Sequence, residues 1–227
     1  MIAGLSKAVV LYLAPLLTLT TIVLSVIVFL SPVIILHDQV ALLTVTPLKG
    51  LDGPSVFLGL LGSCSRLSNS APLNCTAPTI SPVFDVSALP ENAPSRLLSA
   101  PAASTPAFIA IAIAFSMSFF ITFTLVSFRH KMGSRIGGAF EKPLFQHLSA
   151  WIGFFGFLIG LTSFLIVRMW FGKAVQDFND SIEFQRSQAP KLVAAEGNAF
   201  TMMWVAYAFY AVPIIVSLAK LNVKASK

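Results

Sequence analysis

The feature that most constrains this chain is a set of four apolar blocks, each long enough for a membrane-spanning helix. A helix needs about 20 apolar residues to cross a hydrocarbon core about 30 Å thick. The blocks cover residues 9–36, 107–128, 148–171 and 199–218. Charged residues make up 11% of the chain, whereas a typical soluble domain has about a quarter. The sequence therefore predicts an all-α membrane fold, a four-helix transmembrane bundle.

The first block could be mistaken for a cleaved signal peptide because it lies near the amino terminus. The apolar part of a signal peptide is typically about 7–15 residues long. This block is much longer, contains no charge, and is not followed by a clear small-x-small cleavage site. We therefore expect a retained helix, with Pro15 and Pro32 near its ends, where a kink costs less than at the centre.

The orientation of the spans follows from the distribution of basic residues. The two termini and loop 129–147 hold eight basic residues and one acid, Glu141, whereas the rest of the chain holds seven basic and eight acidic residues. Basic residues concentrate in short cytosolic segments of membrane proteins. Both termini and loop 129–147 are therefore predicted to be cytosolic, and loops 37–106 and 172–198 are predicted to lie outside. The eight basic residues are Lys7, Arg129, Lys131, Arg135, Lys142, Lys220, Lys224 and Lys227.

Four of these residues, Arg129, Lys131, Arg135 and Lys142, lie in the cytosolic loop beside the membrane. Basic side chains there attract anionic lipid headgroups by about 1 kcal/mol each. One interpretation makes them headgroup contacts, and the other attributes them to the orientation rule alone. Both interpretations stay open, because the same charges satisfy each.

The two outer loops carry different patterns. Segments 37–48 and 55–64 of the first loop are rich in apolar and β-branched residues, which predicts short strands joined by a turn. Segment 71–107 is rich in Pro, Ser and Ala and predicts an extended chain with at most a short helical turn. In the second loop, the i, i+3, i+7 spacing of Val175, Phe178 and Ile182 predicts that the third helix continues outward until Pro190.

Both cysteines of the chain, Cys64 and Cys75, lie in the first outer loop. An oxidising compartment favours a disulfide between them, and closing so short a loop stabilises the fold by about 2–3 kcal/mol. Two free buried thiols are the alternative. Asn74 and Asn179 each begin an Asn-x-Ser/Thr tripeptide on the predicted outer side, so both are candidate glycosylation sites. The tripeptide of Asn74 contains Cys75, the cysteine expected to be bridged, so the sequence favours Asn179 of the two. Such tripeptides also occur by chance.

Segment 59–64, Gly-Leu-Leu-Gly-Ser-Cys, is followed by Cys75 in the same strand-rich loop. Together with four spans, this segment resembles the claudin-like superfamily, and more closely its fungal branch, the SUR/PalI family. In that superfamily a Gly-Leu-x-x-x-Cys segment, usually with a second cysteine shortly after it, lies on an extracellular sheet. The resemblance thus implies a small extracellular β-sheet, pinned by the disulfide. The motif residues would be Gly59, Leu60, Gly62 and Cys64.

The departures from animal claudins are informative. Those proteins carry one tryptophan upstream of the motif and another within it, where this chain has Leu61. This difference argues against a tight-junction claudin. SUR-type proteins also often have a longer cytosolic tail than the nine or so residues that follow residue 218 here, which leaves room for the PalI-like branch.

The resemblance implies a multi-pass protein of the plasma membrane without enzymatic activity. The implied role is that of an organiser of eisosome-type patches, linked to cell-wall integrity in a fungal cell. One alternative is a PalI-type accessory subunit in ambient-pH signalling. Another is a regulatory subunit of a channel or of a cell-wall polysaccharide synthase. The expected partners are membrane lipids and either other membrane proteins or further copies of the chain.

No set of residues predicts a catalytic, cofactor or metal site. The histidines are His37, His130 and His147, each at a predicted membrane boundary, and interfacial histidines are the favoured interpretation over a zinc site. The basic residues form no cluster with interleaved aromatics, so no nucleic-acid partner is expected. No small-molecule substrate is expected either.

Two features of the third block have both structural and functional interpretations. Arg168 lies near the outer end, where an intramembrane charge is a functional candidate by default. The favoured interpretation is that it reaches outward or pairs with Asp177 or another outer-loop acid. Gly153, Gly156 and Gly160 allow close helix contact. Packing within the bundle is favoured, and a self-association or partner face is the alternative.

Overall fold

Helices make up most of the part of the chain that the structure describes. The structure is a computed structural model that describes residues 12–49, 51–128 and 143–225. Three helices are long and apolar enough to cross a membrane by length and composition, and a shorter apolar helix of 17 residues precedes them. In chain order, the helices are α1 (Ala14–Leu30), α2 (Ser104–Phe128), α3 (Pro143–Gln185) and α4 (Ala199–Ala225). The composition of these helices identifies a membrane protein.

The ends of the helices follow local sequence signals. Helix α1 ends at Leu30, earlier than the end of the predicted block at residue 36. Pro32 is the cause, because proline lacks an N–H and disfavours the helical conformation of the residue before it. Helix α3 continues to Gln185, as the spacing of its apolar residues predicts, and one 3₁₀ turn (Arg186–Gln188) separates it from Pro190. Its 43 residues correspond to about 65 Å of helix.

One small sheet contains five antiparallel strands: β1 (Leu43–Pro47), β2 (Ser55–Leu58), β3 (Ser63–Arg66), β4 (Asn74–Cys75) and β5 (Leu192–Glu196). Their order across the sheet is β4-β3-β2-β1-β5. Strands β1 and β2 and the start of β3 lie in the segments where short strands were expected, whereas β4 lies in the Pro-rich segment for which an extended chain was predicted. Strand β5 comes from the second loop, where no strand was predicted, and it pairs with β1 from Leu43↔Glu196 to Pro47↔Leu192.

The chain divides into two compact units, which are described separately. The helical unit comprises Met1–Ser25, Phe108–Thr162 and Trp204–Lys227. The sheet unit comprises Val26–Ala107 and Ser163–Met203. The sheet unit therefore holds all five strands, and each of the four helices contributes residues to both units.

Aromatic rings fill the core of the helical unit. The ring of Phe157 on α3 lies 5.8 Å from Tyr207 and 6.1 Å from Tyr210, both on α4. Phe119 on α2 meets Tyr210 edge-on at 5.7 Å. Thr21 on α1 donates a hydrogen bond of 2.8 Å to the carbonyl of Ala206. These contacts connect segments of all four helices within this unit.

The sheet unit has apolar packing on both faces of its central strand. One face of the sheet is lined by fully buried aliphatic side chains of β1 and β2, namely Leu43, Val45, Val56 and Leu58. Phe171 and Phe178 of α3 are also fully buried in this unit, and Phe84 stacks on Phe171 at 6.3 Å. On the other face, Phe57 packs with Ala41, Cys64 and Leu73. Strand β2 is therefore covered on both sides.

Candidate functional site

The segment that carries the family resemblance forms the turn between β2 and β3. The N–H of Gly59 donates to the carbonyl of Gly62 at 2.9 Å, which closes the turn. A Cβ atom at Gly59 would overlap the carbonyl oxygen of Ser31 and the Cδ of Pro32. Only glycine lets the two backbones approach this closely. Gly59 therefore places the turn directly against the segment that follows α1.

Gly62 serves the other side of the same turn. A Cβ atom there would overlap Oγ1 of Thr76, just after β4. That hydroxyl accepts a hydrogen bond of 3.0 Å from the N–H of Ser63, at the start of β3. Leu60 and Leu61 between the glycines are buried, at 1% and 7% exposure. The position at which animal claudins carry a tryptophan thus holds a buried leucine.

The predicted disulfide between Cys64 and Cys75 is present. The two cysteines are directly opposite each other on β3 and β4, with Cα atoms 4.0 Å apart. Cys64 is fully buried, whereas Cys75 is exposed. Strand β4 has only two residues, and a strand this short makes few ladder hydrogen bonds. The covalent bond therefore reinforces the few hydrogen bonds that hold this edge of the sheet, such as that from the N–H of Thr76 to the carbonyl of Ser63 at 2.9 Å.

His37 lies beside the disulfide. Its Nδ1 is within hydrogen-bond distance of the carbonyl of Pro32 and lies 3.7 Å from Sγ of Cys75. The donor atoms of His37, Cys64 and Cys75 all lie within 4.8 Å of one another. Zinc binds cysteine as thiolate, and these two sulfur atoms are bonded to each other. When the disulfide is formed, the imidazole of His37 is the one ordinary metal ligand that this cluster offers.

The opposite edge of the sheet is held by Asn179 of α3. Its Nδ2 donates to the carbonyl of Ala194 on β5, and its Oδ1 accepts from the N–H of the same residue, both at 2.9 Å. An edge strand otherwise presents unpaired N–H and C=O groups. The side chain of Asn179 therefore occupies the free edge of β5.

The two candidate glycosylation sites, Asn74 and Asn179, differ in the availability of the atom to which a glycan is attached. A glycan on asparagine is attached through Nδ2, and in Asn179 that atom is engaged with Ala194. Asn74 lies on β4 at the other edge and is exposed. Glycosylation stays a prediction at both sites, and the geometry favours Asn74, whereas the sequence favours Asn179.

Arg168 of α3 pairs with an acid of the second predicted outer loop, as its position predicts. The partner is Glu196, the last residue of β5, at 3.1 Å, and not Asp177. The guanidinium also lies over the ring of Phe200, 5.6 Å from its centroid. Asp177 instead pairs with Lys173. Arg168 therefore connects α3 to the end of β5 within the sheet unit.

The glycines of α3 meet side chains of the same chain. A Cβ atom at Gly153 would crowd the ring of Phe119, and one at Gly160 would overlap the hydroxyl of Tyr207. Gly156 lies between Phe115 and Tyr210. The structure thus places these three residues in the packing of the helical unit.

A polar turn closes the Pro-rich part of the sheet unit against β3. The N–H of Asp85 donates to Oγ of Ser63 at 2.7 Å, and the N–H of Ser87 donates to the carboxylate of Asp85 at 3.0 Å. Hydrogen bonds from Ser87 hold the pKa of Asp85 below its ordinary value. A lowered carboxyl pKa stabilises the fold above the unfolded-state pKa, and the effect is lost as the pH falls through the folded-state pKa.

Some predictions concern residues outside the part of the chain that the structure describes. These are the interfacial His130 and the four predicted headgroup contacts, Arg129, Lys131, Arg135 and Lys142. Sequence reasoning also missed the contact between Asn179 and β5, because no local pattern signals it.

No protein-family model matches the chain, and no curated protein matches it in sequence.

Proposed function

We propose that the chain crosses the membrane four times, with the five-stranded sheet outside the cell and both termini in the cytosol. Three helices of sufficient length and the apolar helix α1 support the number of spans. The excess of basic residues at the termini and in loop 129–147 supports the orientation. The disulfide in the sheet unit agrees with an oxidising compartment on that side.

This topology can be tested by labelling single introduced cysteines in intact cells. Val83 is 82% exposed in the sheet unit, and Lys227 is at the carboxyl terminus. A membrane-impermeant maleimide should label Val83→Cys in intact cells and Lys227→Cys only after permeabilisation. Labelling of Lys227→Cys in intact cells would overturn the orientation.

We further propose that the chain is a claudin-like protein of the SUR/PalI type. Its role would be to organise a domain of the fungal plasma membrane, of the eisosome-patch kind and linked to cell-wall integrity. The observation that carries this proposal is the Gly-Leu-Leu-Gly-Ser-Cys turn of a disulfide-pinned sheet, attached to the end of an apolar helix. In this segment Gly59 contacts the end of the first helix, and Cys64 is bonded to Cys75.

The exposed surface of α3 agrees with a role that depends on contacts with lipid or with other membrane proteins. Large apolar side chains of α3, such as Trp151 and Phe155, are about half exposed within the chain. In a bilayer these side chains would contact lipid or neighbouring proteins.

Live-cell imaging and a pull-down in mild detergent test the organiser role together. A fluorescent fusion should form static clusters in the plasma membrane. The double variant Cys64→Ser/Cys75→Ser should reach the membrane but cluster less, whereas Gly172→Ala should cluster like the unchanged protein. A large channel or catalytic partner recovered in stoichiometric amount would overturn the organiser role in favour of an accessory subunit. A partner of the pH-signalling pathway would instead favour the PalI-type function.

A further inference from the structure

A cavity of about 500 Å³ lies in the sheet unit, between α3 and the chain that leads into α2. It is distinct from the disulfide and from the motif turn. Its walls are mainly apolar, with basic side chains among them. The residues that matter for its chemistry are Arg96, Leu97, Ile166, Met169, Trp170 and Lys173.

One wall of the cavity is a single face of α3. Ile166, Trp170, Lys173 and Asp177 are separated by four, three and four residues, so they lie above one another on the helix. The apolar members come first, and the charged members follow. From Ile166 to Asp177 the helix rises about 16 Å. The predicted span ends at residue 171, so this face runs from the hydrocarbon boundary into the headgroup layer.

The opposite wall is the 3₁₀ turn Ser95–Leu97 and the residues after it. Trp170 holds this wall in place, because its Nε1–H donates a hydrogen bond of 2.9 Å to the carbonyl of Ser99. Leu98 is buried at 4% exposure and anchors the turn. The side chain of Arg96 is exposed and has no hydrogen-bond or ion-pair partner among the described residues. This wall of the cavity is therefore held in place, and the guanidinium of Arg96 is available to contact a ligand.

The charges at the cavity are unbalanced. Lys173 forms an ion pair with Asp177, whereas Arg96 has no acid to neutralise it among the lining residues. The net charge of the lining is positive. Among the apolar lining residues, Met169 and Ile166 are 76% and 52% exposed. The lining thus combines a net positive charge with exposed apolar side chains, which is the complement of an anionic lipid.

We propose that this cavity binds one phospholipid with a net anionic headgroup. The phosphate would lie near Arg96 and Lys173, and an acyl chain would lie along Ile166 and Met169. The inference rests on the membrane placement of α3 in the proposed function, and it does not require the organiser role. It concerns the sheet-bearing side of the membrane, opposite the loop for which the sequence predicts headgroup contacts.

The test is native mass spectrometry of the full-length protein with two lipids of equal acyl chains, phosphatidylglycerol and phosphatidylcholine. The unchanged protein should retain one phosphatidylglycerol in preference to phosphatidylcholine. Arg96→Gln should weaken that retention about five-fold, since one basic contact at a membrane surface is worth about that factor. Asp177→Asn should strengthen it, because Lys173 is then free to contact the phosphate. Lys191→Gln, an exposed basic residue of the second loop away from the cavity, should change nothing.

Equal retention of the two lipids, or an unchanged retention in Arg96→Gln, would overturn the proposal. A second measurement does not depend on charge variants. In a Trp151→Phe/Trp204→Phe background, Trp170 is the remaining tryptophan. Phosphatidylglycerol with brominated acyl chains should quench its fluorescence more than the matched phosphatidylcholine, and equal quenching would count against the site. The labelling of Val83→Cys, repeated on these variants, separates a failed lipid site from a failed membrane topology.

Discussion

In the helical unit, the glycines of α3 lie against aromatic side chains, whereas in the sheet unit Gly59 and Gly197 lie against backbone atoms of other segments. The difference arises because helices and small sheets satisfy their backbone hydrogen bonds in different ways. A helix satisfies its own N–H and C=O groups, so helices need only complementary surfaces. A small sheet has open edges, so its strands need specific partners at defined positions.

The edges of the sheet illustrate this requirement. Strand β4 is held by the Cys64–Cys75 disulfide, and β5 is held by Asn179 and by the ion pair between Arg168 and Glu196. Each of these contacts depends on one specific pair of residues. We therefore expect single substitutions in the sheet unit to have larger and more local effects than conservative changes on the lipid-facing helix surfaces.

The largest expected effect is that of Gly59→Ala. The new Cβ atom would overlap backbone atoms of the segment after α1, which cannot move as a side chain can. We expect the free energy of unfolding in detergent to fall by about 3 kcal/mol, the upper part of the usual range for overpacking. Gly172→Ala is the matched control, since its Cβ atom would have one neighbour, at 3.4 Å. Equal stability of the two variants would contradict the close-contact explanation.

Removal of the disulfide should have the next largest effect. Cys64→Ser/Cys75→Ser should lower the free energy of unfolding by about 2–3 kcal/mol. Hydrogen exchange should rise in β3 and β4, because β4 makes only a short ladder, and should stay unchanged in residues 108–128 of the helical unit. A uniform rise of hydrogen exchange in both units would contradict the expected confinement of the effect to the sheet unit.

Asn179→Ala should cost about 2 kcal/mol, because it leaves the N–H and C=O of Ala194 without their side-chain partner. The loss should appear as faster hydrogen exchange in Leu192–Glu196. Asn74→Ala at the other edge is the control and should change stability by less than about 0.5 kcal/mol. The same pair tests glycosylation: loss of a glycan in Asn179→Ala, and not in Asn74→Ala, would contradict the folded geometry.

The smallest expected effect concerns Arg168 and Glu196. Their side chains are 39% and 35% exposed, so solvent screens the pair, and its contribution should be about 0.5 kcal/mol. A double-mutant cycle with Arg168→Gln and Glu196→Gln measures this coupling apart from the contact of Arg168 with Phe200. The coupling should weaken as salt is added. A coupling above about 2 kcal/mol would place the pair among the buried ion pairs instead.

Much of the fold follows from local sequence patterns. The apolar blocks predict the helices, the periodicity of Val175, Phe178 and Ile182 predicts the extension of α3, and two cysteines in one loop predict the disulfide. These signals are local because each one reports the environment of its own segment. Strand β5 has no such signal, since Leu-Val-Ala-Ala-Glu has few β-branched residues and becomes a strand by pairing with β1.

By itself, the sequence determined which segments form apolar helices, where α3 ends, and which sulfur atoms can bond. Only the tertiary structure decided that β5 completes the sheet, that Asn179 occupies its edge, that Glu196 is the partner of Arg168, and that Arg96 and Lys173 line one cavity. The physical reason is that periodicity and composition specify how much of each segment is buried. The identity of a contact between distant segments depends on the relative positions that packing gives to their backbones.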